Sequence, residues 1–155
     1  MGINASEFSY LNSAVGFTSM IVSPFAGLLM DNYSAGFGLT LGASLLILSQ
    51  VLATQSIQMA SYSQMLLSRM ILGPGHEIVN MGKNVIFARW FFGQELSFAN
   101  NICLALCREL TFLSSVVTPV MSATYGLTSA FASGAAMCCF SSLALVPIIK
   151  SERNY

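Results

Sequence analysis

Arg69, His76 and Lys83 stand seven residues apart, and apolar runs flank the stretch that holds them. Seven residues are close to two turns of α-helix, so these side chains return to nearly the same face. Asn80 lies four residues after His76 and three before Lys83, and Glu77 and Asn84 are again seven apart. A helix here carries a broad polar stripe with one carboxylate near its middle. A later run offers Asn100, Asn101, Arg108, Glu109, Thr111 and Ser115, with Asn101 and Ser115 each seven residues from Arg108. If the two runs form antiparallel neighbouring helices, Glu77 and Arg108 can lie at similar depth. Two readings of that pair stand together. One is a structural ion pair tying two helices; the other is a pair of opposite charges awaiting a zwitterionic or charged solute, since buried pairs serve both purposes. His76 is the only histidine. A lone buried histidine is more often a hydrogen-bonded neighbour than a proton carrier, although its titration range suits a compartment with a pH gradient.

The elements that position these groups follow from composition. The 155 residues are 55% hydrophobic and 8% charged, with a mean hydropathy of +0.71. Soluble domains carry about 25% charge, so lipid is the expected solvent for this surface. Ionisable residues at membrane depth are costly and by default mark a pathway or a binding site. Net charge is zero and the basic residues are scattered, which excludes the electrostatic footprint of a nucleic-acid binder. There is no H-E-x-x-H, G-x-S-x-G, P-loop or H-x-E with C-x-x-C, so neither an enzyme nor a cofactor is expected. Cys103, Cys107, Cys138 and Cys139 lie in apolar runs and read as packing residues. The i, i+4 pair Cys103/Cys107 has no His or carboxylate to complete a metal site. Met1–Glu7 lacks the basic start of a signal peptide. Met1-Gly2 with Ser6 formally matches a myristoylation pattern, which several membrane spans would make redundant.

A membrane-crossing helix needs about 20 mostly apolar residues. Five such spans are expected, at about 8–30, 39–56, 64–92, 96–118 and 129–149, giving an all-α, multi-pass transmembrane bundle as a single membrane domain. Pro24 interrupts the first span, and Gly73-Pro74-Gly75 offers a kink in the long third. A turn is expected over Asp31–Gly38, a polar hinge around Gln58–Tyr62, and a link over Ser122–Thr128. Gly38 and Gly42 form a G-x-x-x-G step for close helix approach. Arg89, Lys150 and Arg153 fall on one side of such a bundle. Basic residues mark the cytoplasmic side, so the Asp31 turn and the C-terminus are expected there, and the N-terminus on the lumenal or extracellular side.

Gly27-Leu-Leu-Met-Asp31 followed by a glycine-containing turn resembles the cytoplasmic G-x-x-x-D loop of the major facilitator superfamily. Within it, Gly73-x-Gly75-x-Glu77, Asn84, then Trp90-Phe91-x-Gly93-x-Glu95-Leu96, with Arg108 beyond, is similar to the branch typified by lysosomal dipeptide transporters. The similarity spans about Phe25 to Met121. It implies that the five spans are helices two to six of a twelve-helix carrier, and that Gly27 and Asp31 belong to a cytoplasmic gating loop. It also implies that Glu77 and Arg108 contact the termini or charges of a dipeptide. A carboxylate attracts an ammonium group or a basic side chain, and a guanidinium grips a carboxylate through two parallel hydrogen bonds. Asn80, Lys83, Asn84 and His76 are secondary candidates. Three features depart from the pattern: Asn32 with no basic residue in the Asp31 turn, His76 in place of a small residue, and no counterpart of helix one or the C-terminal half. An incomplete N-terminal half is therefore the expected domain. Facilitator sites lie between halves that rock against each other. The implied function is export of dipeptides across the lysosomal membrane by uniporter-like alternating access. The implied partners are the lipid bilayer and, to complete the site, a second copy or an accessory membrane protein. The different reading is a non-transporting membrane interaction protein, or a nonfunctional fragment, whose charges only tie helices together.

Overall fold

A computed structural model describes residues 5–152, and these form five α-helices: α1 (Ala5–Asn32), α2 (Ala35–Gln58), α3 (Tyr62–Trp90), α4 (Gln94–Tyr125) and α5 (Leu127–Glu152). Among the described residues there is no strand. Four expected spans fall inside longer helices; α3 ends at Trp90, two residues short of its expected limit. Arg153 and the Met1-Gly2 pattern lie outside the described residues.

Two expected loops are corrected. The turn expected over Asp31–Gly38 shrinks to Tyr33 and Ser34. Asn32 closes α1 by donating its side-chain amide to Leu28 O at 2.9 Å. Ser34 then starts α2 as its N-cap, its hydroxyl accepting from Phe37 N at 3.3 Å, which satisfies one orphan donor of the first turn. The link expected over Ser122–Thr128 reduces to Gly126. Ser122 and Thr124 bond back to Pro119 O at 2.8 Å and Val120 O at 2.9 Å, so they stay helical, and Gly126 turns the chain at φ 87°. The hinge near Met59 takes three residues, 59–61. Ser61 N donates to Ser56 O at 3.1 Å and Ala60 N to Ile57 O at 3.3 Å. This is a Schellman closure, whose left-handed position usually belongs to glycine and here is Ala60 at φ 51°.

Packing is most intimate between α2 and α3; α1 lies against α3, and α5 against α2. α4 touches α5, and α3 only lightly, and carries no buried residue. The α2–α3 seam is made of small residues at seven-residue intervals. Ala35, Gly42, Ser49 and Ser56 line α2, facing Ser68, Gly75 and Gly82 on α3, and all are buried. A Cβ on Gly75 would stand 3.1 Å from Leu45 Cβ and Leu46 N and 3.2 Å from Gly42 O. Backbones thus meet with no room for a side chain, the route by which helices associate where lipid removes the hydrophobic drive. The buried serines satisfy themselves, Ser49 on Leu46 O at 2.8 Å and Ser68 on Met65 O at 2.7 Å. The expected Gly38/Gly42 step serves two neighbours: Gly38 accommodates Met30 of α1, and Gly42 accommodates Val79 and Gly75 of α3. One apolar cluster joins Ala26 and Met30, Ala35 and Leu39, and Ile78 and Ile86; a second joins Leu11, Ala53 and Met65.

The outer surface is apolar, with Phe17, Met20, Phe25, Phe98, Leu110 and Phe112 among many exposed large side chains. Among the described residues, three segments are long and apolar enough to cross a membrane: Ser9–Asn32, Ala35–Gln58 and Gln94–Tyr125. α3 does not qualify by composition, because Arg69, Glu77, Lys83 and Arg89 lie along it. It is a polar helix seated among apolar ones.

Candidate functional site

Two glycines on α3 bring its polar segment against both neighbours. A Cβ on Gly73 would meet Thr18 Oγ1 and stand 2.7 Å from Val15 O, so α1 crosses α3 backbone to backbone. Gly75 does the same for α2 two residues on. Pro74 sits between them without breaking the helix, as membrane helices permit when neighbours satisfy freed backbone groups. The stretch Gly73–Gly75 is therefore held by both neighbours, and Glu77 lies two residues beyond it.

Glu77 is half-buried. Its Oε1 accepts a hydrogen bond from Ser23 Oγ of α1 at 3.2 Å. One turn away, Ser19 Oγ donates to Gly73 O at 3.2 Å. Among the described residues, no Arg, Lys or His pairs with this carboxylate. The next face of α3 holds His76, which is exposed, and Asn80, which is half-buried. Asn80 Nδ2 lies 3.3 Å from His76 Nδ1. Lys83 is half-buried and Asn84 exposed along the same helix. The spacing of four and three thus sets His76, Asn80 and Lys83 on one face, next to Glu77.

Other candidates fall elsewhere. Arg69 reaches α5, its guanidinium carbon 6.0 Å from the Phe131 ring centroid, within cation–π range. Arg108 is exposed on α4 and forms no ion pair with Glu77. Gly27 is half-buried with nothing within 4 Å of an added Cβ, and Asp31 is exposed in the last turn of α1. Cys103, Cys107, Cys138 and Cys139 are free thiols, and no group of residues fit to hold a metal occurs among the described residues.

Ser19 and Ser23 are absent from the residues singled out by spacing. The signal that points to them is a match of intervals: four residues separate them on α1, and four separate Gly73 from Glu77 on α3.

The site is thus a single carboxylate on a polar helix, gripped by two neighbours inside an apolar bundle. No curated protein matches the chain. The sequence model of the Major Facilitator Superfamily matches residues 1–154. That match covers the whole polar helix and its neighbours, and the all-helical bundle agrees with it: the chain belongs to the Major Facilitator Superfamily, whose members are transporters of small solutes across membranes.

Proposed function

We propose that the chain moves small zwitterionic solutes, dipeptides foremost, out of the lysosome by uniporter-like alternating access. The carrying observation is Glu77: a half-buried carboxylate in a membrane bundle, held by Ser23 and without a cationic partner among the described residues. A charge at this depth is costly unless something pairs with it. A solute ammonium or basic side chain fills that role. Arg108 is the complementary group for the solute carboxylate, able to grip it in two parallel hydrogen bonds. Because Glu77 and Arg108 are not joined, no ion pair has to be broken before the solute enters. His76, Asn80, Lys83 and Asn84 supply polar contacts along the open face, and Gly27 with Asp31, in the last turns of α1, serves gating at its cytoplasmic end.

The narrower choice of dipeptide and lysosome is supported by the run from Gly73 to Leu96 with Arg108, which is similar to that branch. In this reading the single domain lines the path, and the Asp31 turn and C-terminus face the cytoplasm. Uptake into proteoliposomes containing the full chain tests it. Radiolabelled alanyl-alanine should exchange across the membrane, and Glu77→Gln and Arg108→Ala should each reduce exchange at least tenfold, about the effect of losing one charged hydrogen bond. Exchange unchanged by both substitutions would remove the site.

A further inference from the structure

The hydroxyl groups of this bundle have a default. Thr18, Thr40, Ser44, Ser49, Thr54, Ser68, Thr111, Ser115 and Ser133 each donate to a carbonyl three or four residues earlier in their own helix. That local bond satisfies a serine or threonine in an apolar helix at no cost to its neighbours. Ser19 and Ser23 depart from it and donate across to α3, Ser19 to Gly73 O and Ser23 to Glu77 Oε1. The Ser19 bond is backbone-directed and fixes the register of the two helices. With that register set one turn away, Ser23 falls opposite the carboxylate.

The geometry points to Ser23 as a positioning residue of the solute site, an inference that rests on the transport reading above. Its hydroxyl occupies one lone pair of Glu77 Oε1 and leaves Oε2 and the second lone pair of Oε1 to accept N–H groups. The carboxylate is held in one rotamer before the solute arrives, so less rotamer entropy is lost on binding. An ammonium group donates to two oxygens of a fixed carboxylate, and an acylated amine, neutral and with one N–H, gains far less. The solute class assigned to this position is therefore a free primary ammonium, and Ser23 sharpens that preference without touching the solute itself.

Binding to the purified full chain in lipid nanodiscs tests the inference, with alanyl-alanine and N-acetyl-alanyl-alanine as probes. The wild-type chain should prefer the free amine. Ser23→Ala should weaken alanyl-alanine binding several-fold, the scale of immobilising one side chain, and leave the acetylated peptide unchanged. Ser23→Thr, which keeps the hydroxyl, should restore the preference. Ser44→Ala on exposed α2 surface should behave as wild type. Equal weakening of both peptides by Ser23→Ala, with no rescue by threonine, would assign Ser23 to helix packing and overturn the inference. Wild-type behaviour of Ser23→Ala beside a lost preference in Glu77→Gln would also overturn it, with the solute site left standing. An unchanged preference in Glu77→Gln would remove both.

Discussion

Glu77 and Arg69 lie on the same helix and have different fates. Arg69 is turned to Phe131 of α5 and holds two helices, whereas Glu77 meets only the Ser23 hydroxyl. Arg69→Ala should therefore lower the unfolding free energy in detergent by about 1 kcal/mol, the worth of an ordinary cation–π contact. It should leave dipeptide affinity unchanged, as thermal unfolding and binding measured on one preparation would show. A loss of affinity with unchanged stability would instead place Arg69 on the solute path. The sevens linking Arg69, His76 and Lys83 were legible as a face, because periodicity needs only the chain. What each member touches was not, because it depends on which helix crosses at that level. Ser23 is marked only by the interval it shares with Gly73 and Glu77: a serine in an apolar span bonds its own helix by default, and only the crossing at Gly73 gives it another partner.

The elements are governed by small residues. Gly75 faces Leu45 Cβ, Leu46 N and Gly42 O at 3.1–3.2 Å from where a Cβ would stand. Two of these are backbone atoms that cannot turn aside. Gly75→Ala should destabilise the bundle by about 1–3 kcal/mol, the usual range for overpacking, seen as a lower midpoint in thermal unfolding. At the α2–α3 turn the sign reverses. Ala60 sits at φ 51°, where a Cβ costs roughly 1–2 kcal/mol. Ala60→Gly should raise stability, offset in part by the greater freedom of glycine in the unfolded chain, for a net gain of about 0.5–1 kcal/mol. A midpoint unchanged or lowered would contradict the strained-cap assignment. Helix existence was legible from apolar run length. The seams are less legible, although Ala35, Gly42, Ser49 and Ser56 repeat every seven residues. Gly38 and Gly42, the step visible as G-x-x-x-G, serve different neighbours. The loops were misjudged because serine, threonine and asparagine near helix ends can cap or back-bond as readily as they can break a helix.

At the scale of the whole molecule, composition alone gave a lipid-solvated helical bundle, and membership of the Major Facilitator Superfamily now gives it a role in solute transport. How Glu77 and Arg108 lie relative to each other was the part least legible in the sequence. α4 carries no buried residue and meets α3 only lightly, and interhelical placement of that kind leaves no mark in the periodicity of either helix. The proposed orientation rests on Arg89, Lys150 and Arg153. A cysteine at Asn32 in a cysteine-free background should react with a membrane-impermeant maleimide only from the cytoplasmic side; reaction from the lumenal side would invert the bundle. The most direct measurement concerns the open face of α3. A cysteine placed at Asn80 in the same background, in the full chain in native-like membranes, reports whether water or lipid lies there. If that face lines the solute path, the cysteine should react with a charged, water-soluble thiosulfonate, and alanyl-alanine should slow the reaction several-fold in a Glu77-dependent manner. A cysteine that stays unreactive, or that reacts at a rate no dipeptide alters, would contradict the account.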